Sequence, residues 1–181
     1  MDVLVGPAGA GKTLALGGLR RAWETTYGSG SVIGLAPSAA AAAVLAGDLG
    51  IGTEITAKWV HEHVKGRWDL TAGQLVIVDE ASLAGTLTLD LLASHAAEVG
   101  AKVLLAGDPA QLAAIDAGGA FGMLVRDRNN QPDGDGVPEL VDIHRFMNMW
   151  EKTASLHLRR GDTDVIDVYD EHGRIIDCEH G

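Results

Sequence analysis

Apolar residues along this chain gather in short unbroken runs, and between the runs they recur at helical spacing. Val3-Leu4-Val5, Val32-Ile33-Gly34-Leu35-Ala36, Leu75-Val76-Ile77-Val78 and Val103-Leu104-Leu105-Ala106 carry almost no polar residue. Strands that are apolar on both faces are expected where a parallel sheet is covered on both sides. The pattern predicts strands at Asp2–Val5, Val32–Ala36, Leu75–Val78, Lys102–Ala106 and Leu140–Ile143. Helices are expected from Thr13 to about Trp23, over Ala39–Leu49 with Ser38 as cap, and over Ala57–Val64. Further helices are expected over Thr86–Val99, ended by Gly100, over Gly119–Val125, and from Phe146 to Arg159, closing near Gly161. The run 129–136, Asn-Asn-Gln-Pro-Asp-Gly-Asp-Gly, reads as a loop. The β-α-β-α rhythm predicts an α/β fold, a parallel sheet flanked by helices on both faces, with ligands at the carboxyl ends of the strands.

Composition narrows this picture only slightly. At 181 residues the chain is long enough for one domain with a sizeable core, and 46% of it is apolar. A net charge of −11 argues against a broad nucleic-acid surface, while leaving room for a local basic strip. The single cysteine, Cys178, rules out an internal disulfide and a cysteine-based zinc site, reads as an inert thiol, and suits a reducing cytoplasm. Asp2 and the glycine turn behind it break any secretory pattern, and the alanine-rich stretch from Ala36 to Gly47 is too short to span a bilayer. The expectation is a soluble, cytoplasmic, monomeric protein without a membrane partner.

The first strand runs directly into Gly6-Pro7-Ala8-Gly9-Ala10-Gly11-Lys12-Thr13, which fits the spacing G-x-x-x-x-G-K-[ST]. Small residues let the backbone curl so that N–H groups face inward onto phosphate oxygens, and the helix that follows adds the positive end of its dipole. Gly6, Pro7, Gly9, Ala10, Gly11, Lys12 and Thr13 are therefore the candidate cradle for ATP. Lys12 would reach the β- and γ-phosphates, and the Thr13 hydroxyl would ligate Mg²⁺. The third apolar run ends in Asp79-Glu80, two acids costly to bury without partners. Asp79 suits the metal and Glu80 the activation of water. Gln111, in Gly107-Asp108-Pro109-Ala110-Gln111-Leu112, has the length to sense a γ-phosphate or position water. Arg145 could point toward the phosphates, or simply form a surface ion pair.

Taken in order, these motifs resemble a superfamily-one DNA helicase of the RecD-like branch, and most of all the helicase portion of the TraA/TrwC-type conjugative relaxases. Gly6–Thr13 resembles that family's motif I and Leu35-Ala36-Pro37-Ser38-Ala39-Ala40-Ala41 its motif Ia, with Thr56-Ala57-Lys58-Trp59 similar to the segment that follows. Val78-Asp79-Glu80-Ala81-Ser82 resembles motif II and Ala106–Leu112 motif III. Ile143-His144-Arg145-Phe146, with Trp150-Glu151 and Leu158-Arg159-Arg160-Gly161-Asp162, is similar to the region around motif IV. The resemblance implies a RecA-like fold and a motor that couples ATP hydrolysis to movement along single-stranded DNA. It implies that Lys12 and Thr13 bind phosphate and Mg²⁺, Asp79 binds Mg²⁺ and Glu80 activates water. It also implies that Gln111 couples to the γ-phosphate and that Arg145 contacts it. Pro37, Ser38, Lys58 and Trp59 would lie toward DNA, Trp59 as a stacking ring, although core packing is at least as good a reading of that tryptophan and a merely solvated side chain is the alternative for Lys58.

The sequence also departs from the family pattern. It lacks the upstream glutamine segment that holds adenine, the motifs V and VI of a second RecA-like domain, and the tyrosine and histidine cluster of a relaxase domain. Tyr27 and Tyr169 sit in no such context, and the histidines show no metal-ligand spacing. The expectation is a piece of a longer protein: residues 1–145 as the first RecA-like domain, and 146–181 as a helical segment leading toward the second. Alone, it should bind single strands weakly and unwind nothing. Two other readings stay open: a P-loop kinase of small molecules, and a nucleotide-binding module without turnover.

Overall fold

The unbroken apolar runs become neighbouring strands of one parallel sheet. The computed structural model describes residues 1–7, 9–111, 119–131, 136–141 and 146–176. Among these, the strands are β1 (Asp2–Val5), β2 (Val32–Ala36), β3 (Gly52–Ile55), β4 (Leu75–Val78) and β5 (Lys102–Gly107), in the order β1-β5-β4-β2-β3. All pairings are parallel. Val5 lies opposite Gly107, Val78 opposite Leu105 and Leu35 opposite Val78, so the carboxyl ends of β1, β5, β4 and β2 share one edge.

The helices are α1 (Lys12–Tyr27), α2 (Ala39–Leu49), α3 (Thr56–Val64), α4 (Thr86–Val99), α5 (Ala120–Asn129), α6 (Met149–Arg159) and α7 (Val165–Glu171), with a 3₁₀ turn at Ala81–Leu83. Two cores, one on each face of the sheet, explain the unbroken runs. Leu75 and Ile77 pack with Leu16 of α1 and with Leu45 and Leu49 of α2. Their neighbours Val76 and Val78 pack instead with Trp59 of α3, Leu89 and Leu92 of α4, and Phe121 of α5. Successive residues of a strand point to opposite faces, so both faces must be apolar. Each such side chain contributes ~1.5–3 kcal/mol by leaving water. Gly34 of β2 lets α2 come close: a Cβ there would lie 2.7 Å from Leu45 Cδ2 and 2.9 Å from Thr53 Cγ2.

Several boundaries differ from expectation. The strand β3 has no apolar run because it is an edge strand, paired only with β2. Helix α1 continues past Trp23 to Tyr27, where the two rings stack at 4.8 Å, and α5 continues past Val125 to Asn129. Helix α6 starts at Met149 rather than Phe146, and α7 was not foreseen. Of the strand expected at Leu140–Ile143, Asp142 and Ile143 lie outside the described residues, and just before it the described residues show a bridge. Glu139 pairs with Val5, whose N–H donates to Pro138 O at 2.9 Å and whose carbonyl accepts from Leu140 N–H at 2.8 Å. Asp142 to Arg145 lie outside the described residues, as does Cys178. Among the described residues no helix is long and apolar enough to cross a membrane.

Candidate nucleotide-binding site

The phosphate loop hangs between β1 and β5. Gly6 N–H donates to Gly107 O at 3.0 Å, which ties the start of the loop to the end of the neighbouring strand. Gly9 and Gly11 take φ of 81° and 79°, a left-handed backbone that a side chain disfavours. That turn delivers Lys12 as the first residue of α1, whose first turn holds no acidic residue to compete with an anion. Lys12 Nζ folds back over the loop and donates to Gly6 O at 2.7 Å and Pro7 O at 3.0 Å. Burial pushes its ammonium below the usual lysine value of 10.5. The carboxylates of Asp79, Asp108 and Glu80 pull the other way, and the charge of Arg159 adds to the lowering. These four charged groups, just beyond β4 and β5 and at the end of α6, therefore all act on the loop lysine.

Asp79 follows β4 and is half-buried. Its N–H donates to Leu35 O at 2.9 Å, and its Oδ1 accepts from Glu80 N–H at 3.0 Å. Glu80 has φ 49° and is the one non-glycine residue with positive φ among the described residues. Such a conformation costs ~1–3 kcal/mol and tends to persist where a site requires it. Here it turns the chain from the sheet into the 3₁₀ turn and leaves Glu80 exposed. Thr13 donates its hydroxyl to Asp48 Oδ2 at 3.3 Å. The donor set fits the expected ligands: a hydroxyl and carboxylates are the hard oxygens that Mg²⁺ prefers, and the cradle with Lys12 suits a polyphosphate. A cavity of about 410 Å³ opens beside the loop, with Leu14, Ala15, Leu140 and Val141 in its wall. A smaller cleft of about 150 Å³ joins Asp79 and Glu80 to Pro37, Thr56 and Ala57. Another cavity of about 410 Å³, between α6 and α7, contains none of these groups.

The remaining candidates separate. Gln111 is exposed, just beyond β5, with its N–H on Asp108 O at 3.2 Å. Arg145 and Leu112 lie outside the described residues, as does Ala8 within the loop. Pro37 lines the smaller cleft. Ser38 is exposed and caps α2, its Oγ accepting from Ala41 N–H at 3.1 Å. Lys58 is exposed and paired with Glu54 at 2.5 Å. Trp59 is a correction: the indole is 0% exposed and stacks on His63 with centroids 5.0 Å apart and planes 4° apart. It lies three residues beyond buried Thr56, on the inward face of α3, whereas Lys58 faces out. A ring enclosed in this way cannot stack on a base.

Two other features were missed. His63, Asp69 and His95, distant in sequence, bring their ligand atoms within 4.8 Å of one another. Their hydrogen bonds are already internal: His63 Nδ1 with Asp69 at 3.0 Å, and His95 Nε2 accepting from Leu70 N–H at 3.2 Å. The second is the pair Asp108–Arg159. Asp108 is 3% exposed, and Arg159 grips it through Nε and Nη2 at 2.7–3.1 Å. An acid directly after an apolar run hinted at Asp108. Nothing in the local sequence marks its partner 51 residues later.

The AAA domain family matches residues 1–180. A probable conjugal transfer protein TraA of Sinorhizobium fredii is 34% identical over 177 residues, and a conjugal transfer protein TraA of Rhizobium radiobacter is 35% identical over 173. These alignments cover 97% and 95% of this chain but only 15% of each relative, so the chain spans about one seventh of their length. The crystal structure of Pif1 helicase from Candida albicans superimposes with a TM-score of 0.64 at 18% identity, over 98% of this chain and 45% of that one. The Pyrococcus furiosus Hef helicase domain does so with a TM-score of 0.53 at 16% identity, over 76% and 34%. The fold is thus the P-loop, RecA-like sheet that the sequence implies. With its loop, lysine and paired acids in place, the chain belongs to the AAA domain family.

Proposed function

We propose that this chain is the ATP-binding motor domain of a DNA helicase that works in conjugal transfer as part of a longer protein. One observation carries the reading: the carboxylates of Asp79, Asp108 and Glu80 all face Lys12 electrostatically, at the end of a loop whose Gly9 and Gly11 are held left-handed. The resemblance of the chain to TraA proteins supplies the biological setting.

In this reading Lys12 leaves the carbonyls of Gly6 and Pro7 and neutralises the β- and γ-phosphates of ATP, while the loop N–H groups hold their oxygens. Thr13, released from Asp48, would hold Mg²⁺ together with Asp79. Bound there, the ion would supply positive charge that offsets the phosphates. Glu80, exposed next to Asp79, takes the proton of the attacking water, and Gln111 orients that water. Arg145 contacts the γ-phosphate. Leu14, Leu140 and Val141 offer the base an apolar wall. Single-stranded DNA runs past Pro37, Ser38 and Lys58, without Trp59. Residues 1–145 form the first RecA-like domain, 146–181 lead toward a second one that closes on ATP to drive translocation, and the parent protein acts in the cytoplasm as a monomer.

The test is a titration of fluorescent ATP with Mg²⁺ into the chain and its Lys12→Ala variant. Loss of a charge-assisted contact should weaken binding by about 10- to 100-fold. Equal affinities would overturn the reading. Phosphate release by the longer protein separates the classes: a motor responds to single-stranded DNA, a kinase to a small acceptor, and a binding module to neither.

A further inference from the structure

Asp108 is the one buried charged residue among the described residues, and it stands where β5 turns into the segment carrying Gln111. Its carboxylate has two tasks. Oδ1 accepts from Ala110 N–H at 3.0 Å, and its backbone carbonyl accepts from Gln111 N–H at 3.2 Å, so Asp108 shapes the turn 108–111. The same carboxylate receives the fork of Arg159, from Nη2 at 2.7 Å and from Nε at 3.1 and 3.0 Å to its two oxygens. Arg159 Nη1 reaches Glu139 at 3.5 Å. Glu139 bridges Val5 on one side of β1, and β5 pairs with β1 on the other. The guanidinium of α6 therefore spans both neighbours of the strand that leads into the phosphate loop, and Lys12 feels its charge.

We infer that Arg159 is a positioning residue of the nucleotide site. Through Asp108 it sets the turn that carries Gln111, and so ties α6 to the γ-phosphate end of the cradle. A planar two-pronged donor fixes both distance and orientation of a carboxylate, which a lysine ammonium does not. Arg159→Lys keeps the buried carboxylate compensated while releasing the orientation of the turn. The inference rests on the proposed role of Gln111 at the γ-phosphate.

The experiment compares the affinity of the 181-residue chain for ADP and for a non-hydrolysable ATP analogue, both with Mg²⁺. The variants are Arg159→Lys, Gln111→Ala, their double mutant and Lys12→Ala, each first checked for an unchanged circular dichroism spectrum and a cooperative melt. Arg159→Lys should weaken the ATP analogue about fivefold or more and leave ADP within about twofold, and Gln111→Ala should add little to it, because coupled residues are not additive. Equal weakening of both nucleotides, no weakening of either, or full additivity with Gln111→Ala would each overturn the inference. Lys12→Ala distinguishes the two levels. If it abolishes binding while Arg159→Lys changes nothing, the nucleotide site stands and the positioning role falls. If Lys12→Ala changes nothing, the site itself is wrong.

Discussion

Replacing Trp59 separates a core tryptophan from a DNA-stacking one. The ring is fully buried among the side chains between the sheet, α3 and α4, and stacks on His63. Truncation to alanine removes the transfer energy of the indole and leaves a cavity that the sheet cannot collapse to fill, a loss of ~3–5 kcal/mol. For a chain of this size each kcal/mol lowers Tm by about 2–4 °C, so Trp59→Ala should melt about 6–20 °C lower. Trp59→Phe makes the sharper test. Among the described residues no acceptor meets the buried indole N–H. The smaller ring gives up ~1–2 kcal/mol of burial but also removes an unpaired donor that costs ~1–3 kcal/mol. The two nearly cancel, and Trp59→Phe should lie within ~1 kcal/mol of the parent. Urea titrations followed by circular dichroism measure both variants, and anisotropy of a labelled single strand reports DNA binding by the folded Trp59→Phe protein. A stable Trp59→Ala chain, or a Trp59→Phe chain that folds normally but loses its DNA affinity, would refute the reasoning and return the ring to the DNA face.

Other outcomes follow from the same geometry. In the longer protein, Glu80→Gln should retain nucleotide but hydrolyse it about 10²–10⁴-fold more slowly, read by single-turnover phosphate release; an unchanged rate would remove Glu80 from the mechanism. Gly34→Ala should cost ~1–3 kcal/mol in urea titrations, because the new methyl would stand 2.7 Å from Leu45. Ser38→Ala should cost ~1 kcal/mol by loss of the α2 cap, again by urea titration. Burial lowers the pKa of free Lys12, and bound phosphate would restore it, so the ligand prefers the protonated form. Below the lowered pKa the lysine is already charged and affinity is flat. Above it, binding takes up a proton and weakens, so affinity should fall at an alkaline pH below the 10.5 of an ordinary lysine. Calorimetry in buffers of different ionisation enthalpy measures that uptake.

What the sequence determined by itself was everything encoded in near neighbours. Doubly apolar runs specify strands of a covered parallel sheet, because alternate side chains must both leave water. Gly9 and Gly11 specify the loop, because their left-handed backbone is open to residues without a Cβ. Ser38 specifies a helix start through a hydroxyl three residues from the N–H it caps. The spacing of loop, acids and Gln111 was equally legible, since each stands just beyond a strand that the pattern had already placed. The tertiary structure alone decided the rest. Edge strand β3 carries no apolar run, having only one strand neighbour to pair with. Trp59 could be core or surface until α3 docked with Thr56 and Trp59 turned inward. His63, Asp69 and His95 met only when α3 and α4 packed side by side. Arg159 found Asp108 across 51 residues because α6 returns to the carboxyl edge of the sheet, where a buried carboxylate needs a cation. Such pairings obey no local period: their energy comes from desolvated charge, and only the folded chain determines which groups are shut away from water together.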